Sequence, residues 1–359
     1  MKGLMVLLFV FAYNYIQAQS MQNCYERIQN SWFTYISIPE NKYAGVDSIR
    51  FVMSPYEPEN PIIIFSAGSG NSPLFFIMDE DSVHAYLNTP FNVYEYAKDF
   101  NFVYISKPGV PLCTEFTENP LLIDTTFPDI MTFYKMDFLD YYVNQLGQVV
   151  DYLRNLSESP IYLVGGSQGG SVVIKYASTK KENVAKIVPF SSGILDRSYE
   201  EILYWRQLAD LKQITHEEAQ RNIDDVYESY FQKRDYYKYF EQNPNAEIAY
   251  NATPDQHYRI LTDYSYNFGE VSLDYLLKID IPILCVYGTD DIKARDNDML
   301  PLFFARAGKN NITMLPQLYC DHSFFERKPN EETGEIEEKY LGNEVFRQIF
   351  EWLSKSSDK

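Results

Sequence analysis

The stretch that most constrains this chain is residues 161–177. Four apolar residues, Ile161 to Val164, run into Gly165-Gly166-Ser167-Gln168-Gly169-Gly170 and then into the apolar-periodic Ser171-Val172-Val173-Ile174-Lys175-Tyr176-Ala177. That order spells strand, tight turn, helix. Within it, Gly165-x-Ser167-x-Gly169 fits the G-x-S-x-G nucleophile elbow, a turn so sharp that the serine takes a strained backbone and its neighbours approach too closely for side chains. Gly165, Gly166 and Gly169 are then required by the geometry. The turn exposes the Ser167 hydroxyl above the strand's carboxyl end and aims the next helix's N-terminus, with the Gln168 N–H, at the same spot. A developing oxyanion can be held there. Five residues alone recur by chance as a helix start packed with small side chains, but the strand before and the helix after favour a nucleophile. A phosphate loop lacks its Lys-Ser or Lys-Thr pair here.

The rest of the chain arranges itself around this turn. Trp32 to Ile38 and Ser48 to Met53 read as an antiparallel pair, and Pro61 to Phe65 as a strand buried on both faces that ends in the second glycine-rich turn, Ala67-Gly68-Ser69-Gly70. Phe102 to Ile105 is another buried strand, followed by the turn signal Lys107-Pro108-Gly109-Val110 and an irregular stretch to about Pro128. A helix carrying Phe138, Tyr142, Leu146, Val149, Val150 and Leu153 at three- and four-residue spacing precedes the serine strand; Val184 to Phe190 follows as the next strand. Alternating strands and helices predict an α/β fold, a mostly parallel sheet wrapped by helices. From 192 to 274 the chain turns to amphipathic helices dense in Tyr and charge, which predicts an inserted helical cap between core segments 21–191 and 275–359. Thr215-x-x-Glu218 is a capping box there, with Ile223, Val226, Tyr230 and Phe231 as a stripe behind it. Ile283 to Tyr287 and Ile312 to Pro316 resume the sheet, a polar loop spans Glu326 to Glu338, and a helix over Leu341 to Leu353 closes it.

Residues 1–20 read as a signal peptide: Lys2, an apolar core from Leu4 to Ala12, and a small, polar cleavage zone at Gln17-Ala18-Gln19-Ser20. The apolar run is shorter than the roughly 20 residues of a membrane span. No later stretch is apolar enough. The expectation is an exported protein, periplasmic or secreted, with no integral membrane segment after the leader is removed. Met21-Gln22-Asn23 before Cys24 lacks the small residue of a lipidation site. Cys24, Cys113, Cys285 and Cys320 would then meet an oxidising compartment, with three pairings open, or none. A net charge of −19 from 50 acidic and 31 basic residues argues against nucleic acid or an anionic membrane as partner.

A serine hydroxyl needs a general base within hydrogen-bond reach, itself oriented by a carboxylate. Among four histidines, His84 and His257 lie in irregular polar surroundings and His216 sits in a helix's first turn beside Glu217 and Glu218. His322, in Cys320-Asp321-His322-Ser323 after the last strand, falls on a loop at the sheet's carboxyl edge. Tyr287-Gly288-Thr289-Asp290-Asp291 supplies the carboxylate after an intervening strand, with Asp291 first and Asp290 its neighbouring rival. Asp296 and Asp298 invite a calcium reading, but the central glycine and terminal glutamate of that loop are missing. A helix start accounts for them.

The order Ser167, Asp291, His322 is that of the α/β-hydrolase fold, and from about Pro61 to Leu353 the chain resembles that superfamily, most closely its exported bacterial peptidase- and esterase-type branch. The departure is the first turn, where Ala67-Gly68-Ser69-Gly70 replaces the usual histidine-glycine opening, so the second oxyanion donor stays open between the Ser69 and Gly68 N–H groups. The resemblance implies acyl transfer to Ser167 through His322 and Asp291, with Gln168 and the 68–69 turn holding the oxyanion and water releasing the acyl group. It implies no cofactor and no metal, and a small-molecule ester or peptide as substrate. An acyltransferase on the same triad, or a binding protein of the same fold, are the alternatives. Substrate identity, ester against amide preference and oligomeric state have no signature in the sequence.

Overall fold

The computed structural model describes residues 24–78, 83–116, 129–180, 183–242, 271–330 and 333–355. The leader expected at 1–20, His257 and residues 243–270 of the expected cap lie outside them.

An eight-stranded sheet organises the chain. Strands β1 (Thr34–Pro39), β2 (Ser48–Met53), β3 (Ile62–Ser66), β6 (Asn101–Ile105), β8 (Ile161–Gly166), β9 (Lys186–Phe190), β10 (Ile283–Gly288) and β11 (Ile312–Gln317) lie in the order β1-β2-β6-β3-β8-β9-β10-β11. The β1–β2 and β2–β6 pairs are antiparallel and the rest parallel. The runs in the middle of the sheet are continuously apolar because both faces are covered, and successive side chains go to opposite layers. Thus Ile62, Ile64, Ile161 and Leu163 join one core cluster with Leu146, Val149 and Val173, while Ile63, Phe65, Tyr162 and Val164 join another with Phe346, Ile349 and Phe350. The first layer is covered by α2 (Leu139–Arg154) and α3 (Gln168–Thr179), the second by α8 (Gly342–Ser354) and the helical turn at 24–30. A short helix, α1 (Ile130–Met136), precedes α2.

The connections fix where a crevice opens. From β3 the chain passes to β6 on one side, then crosses back over β3 to place β8 on the other, and every later strand adds beyond β8. The order therefore reverses between β3 and β8, and the loops leaving their carboxyl ends part to opposite faces. In open α/β sheets that point is where ligands bind.

Between β9 and β10 lie α4 (Arg197–Asp210) and α5 (His216–Gln242), which pack against each other, and α6 (Ser272–Leu276), which returns onto α3 through Ser272 Oγ and Ser171 Oγ at 3.3 Å. Thr215 Oγ1 accepts the Glu218 N–H at 3.1 Å, the serine/threonine half of a capping box. Ile223 and Val226 are buried, whereas Phe231 is exposed rather than part of the buried stripe. Helix α7 (Leu300–Arg306) joins β10 to β11. Among the described residues no helix is long and apolar enough to cross a membrane.

Strands also form where the sequence predicted none. β4 (Phe75–Ile77), β5 (Tyr86–Leu87) and β7 (Cys113–Glu115) form a small separate sheet, and the polar loop at 326–338 is a hairpin of β12 (Phe325–Pro329) and β13 (Ile336–Tyr340). Neither shows an apolar alternation. β13 is exposed throughout, and the hairpin is held by cross-strand charge pairs such as Arg327 Nε to Glu338 Oε2 at 2.7 Å and by the Tyr340 hydroxyl donating to the Pro90 carbonyl at 3.0 Å.

Of the open cysteine pairings the structure contains Cys24–Cys113, tying the helical turn at 24–30 to β7 across 89 residues. Cys285 and Cys320 are buried free thiols in different core clusters. Replacing Cys24 and Cys113 with serine is expected to lower unfolding free energy by about 4–5 kcal/mol, the chain entropy released by a loop of this size. A urea titration of oxidised wild type against the double variant reads it. Thiol titration of the denatured wild type should return only Cys285 and Cys320.

Candidate active site

Ser167 stands between β8 and α3 with φ 51° and ψ −119°, far from the regions an ordinary residue occupies. The flanking glycines make that turn possible. A Cβ on Gly165 would land on the Gly169 carbonyl, and one on Gly169 would land on the Ser66 carbonyl at the end of β3. The turn is pinned by the Ser167 N–H donating to the Phe190 carbonyl at 2.9 Å and the Gly170 N–H to the Ser167 carbonyl at 2.9 Å. Gly166 faces the Phe190 ring closely enough that any side chain would overlap it.

Across the switch point, the 67–70 turn leaves β3 beside Ser167. A Cβ on Gly68 would sit 3.5 Å from the Ser167 Cβ and 3.5 Å from the Gly166 carbonyl. As first residue of α3, Gln168 carries a backbone N–H that has no acceptor inside the helix, at the positive end of its dipole. Gln168, Gly68 and Ser69 therefore border the crevice over Ser167.

Asp291 and His322, the acid and base expected from the sequence, meet on neighbouring loops. His322 Nδ1 lies 2.8 Å from Asp291 Oδ2, with the histidine side chain 34% exposed and the carboxylate 1% exposed. A carboxylate can only accept, so Nδ1 is the donor, and in the neutral ring that leaves the lone pair on Nε2. Asp291 Oδ1 accepts the Lys293 N–H at 3.0 Å, so both oxygens are engaged. Gly288 ends β10 against the Cys320 and Asp321 carbonyls, and the Asp290 N–H donates to the Cys320 carbonyl at 2.9 Å. Those contacts clasp the acid loop to the histidine loop.

The other carboxylates nearby are engaged elsewhere. Asp290 is exposed, and Asp321 Oδ1 accepts the Ser323 and Phe325 N–H groups at 2.9 and 3.0 Å. Asp296 and Asp298 fall in the first turn of a 3-10 helix at Arg295–Met299. Asp296 Oδ2 accepts the Ile194 and Leu195 N–H groups at 3.0 and 2.7 Å, while Asp298 accepts the Tyr287 hydroxyl. Among the described residues no group of three His, Cys, Asp or Glu converges as a metal site. His216 opens α5, and His84 Nδ1 rests 2.9 Å from the Asn30 carbonyl.

Two residues under the crevice were not singled out by the sequence for chemistry. Lys107, two positions past β6, is buried, and Asp137 lies between α1 and α2; both contact the Gln168 side chain. The one sequence signal is a lysine two residues past a buried strand, at the sheet's carboxyl end.

A carboxyl cluster packs the inserted helices beside the acid loop. Burial, reinforced by Asp296, pushes Glu200 of α4 up to about 8, and burial pushes Asp296 up to about 6. A carboxyl whose folded pKa is raised binds its proton more tightly folded than unfolded. It costs no stability below the unfolded value near 4.5, and stability is lost as pH rises from there to about 8. Glu200→Gln is therefore expected to match wild type in thermal midpoint near pH 4 and to exceed it by on the order of a few °C at pH 8–9. Differential scanning fluorimetry across that range reads the growing gap.

No protein-family model matches the sequence, and no curated protein does. Among solved structures the chain is similar to Est1E from Butyrivibrio proteoclasticus, at 12% identity over 90% of this chain and 100% of that one, with a TM-score of 0.45. It is also similar to a thermophilic esterase from Thermogutta terrifontis (15% identity, 89% and 98% covered, TM-score 0.46) and to the acylaminoacyl peptidase of Pyrococcus horikoshii (12%, 91% and 42%, TM-score 0.49). Those scores carry no chemistry to this chain. Its own strand order, with the elbow after β8 and the late acid and histidine loops, defines the α/β-hydrolase fold.

Proposed function

We propose that this protein is an exported serine hydrolase that cleaves carboxylic ester or peptide-type amide bonds in small substrates through Ser167, His322 and Asp291. The observation that carries the reading is the 2.8 Å His322–Asp291 contact on loops at the same sheet edge as the strained Ser167. His322 Nε2 takes the Ser167 proton as Oγ attacks the carbonyl carbon, and Asp291 stabilises the imidazolium that forms. Negative charge on the carbonyl oxygen is met by the Gln168 N–H and a donor from the 67–70 turn. His322 then gives its proton to the leaving group, and water attacks the acyl-enzyme by the reverse route. Helices α4 and α5 with their connection form a cap that shapes selectivity. Export is supported by the leader at residues 1–20 together with the Cys24–Cys113 disulfide, which persists in oxidising compartments.

The test is turnover of short-chain p-nitrophenyl esters and peptide p-nitroanilides by wild type and Ser167→Ala. A stoichiometric burst of nitrophenol in wild type, absent in the variant, is the expected result. Folded wild type that turns over neither substrate class at rates above Ser167→Ala contradicts the reading.

A further inference from the structure

Beneath the crevice one ammonium joins the elbow to the 67–70 turn. Lys107 Nζ donates to the Gly68 carbonyl at 2.6 Å and to Gln168 Oε1 at 2.9 Å. Gln168 Nε2 in turn donates to Asp137 Oδ1 at 3.0 Å, which also accepts the Tyr142 hydroxyl at 2.9 Å. The Lys107 ammonium lies 5.1 Å from the Tyr142 ring centroid and 5.9 Å from that of Phe133. A 20 Å³ cavity lined by Lys107, Gln145, Gln168 and Ser66 lies alongside, room for one water.

Packing alone does not call for a charge here. An apolar side chain of the same length fills the space without the cost of taking an ammonium out of water. What the ammonium adds is direction, because it fixes the positions of two oxygens.

The first oxygen matters through the peptide plane. In a trans peptide the carbonyl of one residue and the N–H of the next point opposite ways. With the Gly68 carbonyl drawn down onto the buried Lys107, the N–H of the same peptide unit, that of Ser69, is turned up and out. Ser69 is exposed, and the turn lies against Ser167. The second oxygen belongs to the side chain of Gln168, the residue whose own N–H opens α3. Holding that side chain to Lys107 and Asp137 leaves its backbone N–H facing the crevice.

We infer that Lys107 is a positioning residue which sets both donors of the oxyanion hole, and that the second donor is the Ser69 N–H rather than that of Gly68. The inference rests on the hydrolase reading and deepens it. Lys107 touches no reacting atom; it acts through the two groups that do.

The experiment uses full-length, disulfide-intact protein and an ester whose turnover depends on Ser167. Lys107→Met is expected to lower kcat about 10²-fold with KM changed less than about threefold, the signature of an interaction made in the transition state. A purely structural role would instead lower the fraction of titratable sites or move KM. Replacing the Ser69 amide by an ester linkage, which deletes only that N–H, is expected to lower kcat by about 10–100-fold with KM held.

A third readout is the pH profile of wild type. Burial lowers Lys107 to about 8, against the opposing pull of Asp137, so the ammonium is lost as pH rises through that value. The titratable groups facing it are the Asp137 carboxylate and the Tyr142 phenol. Wild-type kcat should fall several-fold above pH 8 with KM steady, and the Lys107→Met profile should be flat there. If Lys107→Met does not fold, this profile decides. A folded Lys107→Met that keeps wild-type kcat, or a wild-type kcat flat from pH 7 to 10, overturns the clamp. An ester at 69 that leaves kcat intact overturns the Ser69 assignment. Failure of the hydrolase reading looks different, because wild type itself then shows no Ser167-dependent turnover.

Discussion

Asp291→Asn is expected to lower kcat by about 10³–10⁴-fold while the protein stays folded, whereas Asp290→Asn leaves it within about threefold. The two residues are adjacent, of one type and on one loop, so composition cannot separate them. Their surroundings do. Asp291 is buried with one oxygen on His322 Nδ1 and the other on the Lys293 N–H, while Asp290 is exposed and tied down by its backbone. An asparagine keeps the shape of the acid but can present an N–H to Nδ1, which then holds the lone pair and leaves the proton on Nε2. The imidazole is turned into the wrong tautomer for accepting the serine proton. Steady-state kinetics on both variants, with thermal midpoints alongside, read the difference.

Gly169→Ala is expected to cost at least about 3–4 kcal/mol of stability, and activity with it. The added methyl meets the Ser66 and Ala67 carbonyls, backbone atoms where β3 runs into the 67–70 turn. Relief requires α3 to back away from β3, which opens the crevice floor and moves the Gln168 N–H from its place. Gly68→Ala is the contrasting case. Its methyl would make only ordinary 3.5 Å contacts, so the fold should hold. Urea midpoints for the two variants should differ widely despite identical chemistry on two facing turns.

These two predictions mark how far the sequence could be read. The buried strands were legible because a parallel sheet covered on both faces writes itself as continuous apolar runs, as at Ile62–Ser66 and Ile161–Gly166. The elbow was legible because its glycines answer to a steric need that no other residue meets. The hairpin at 325–340 was not, because both of its faces are wet and its register comes from charge pairs and a turn. The small sheet holding Phe75, Tyr86 and Cys113 was hidden by its two- and three-residue strands. Cysteine pairing depends on which loops meet in space, and four cysteines carry no such information. Lys107 and Asp137 escaped for the same reason. They are far from Gln168 in sequence, and only the crossing of the chain between β3 and β8 brings the three together.

Ser167 as an activated nucleophile is the central claim, and the most direct measurement is labelling of the disulfide-intact protein by a fluorophosphonate probe, with the adduct located by peptide mass spectrometry. The expected result is stoichiometric labelling on Ser167 that disappears in both Ser167→Ala and His322→Ala. Folded wild type that takes neither a bulky nor a small fluorophosphonate, or that is labelled on another residue, contradicts it.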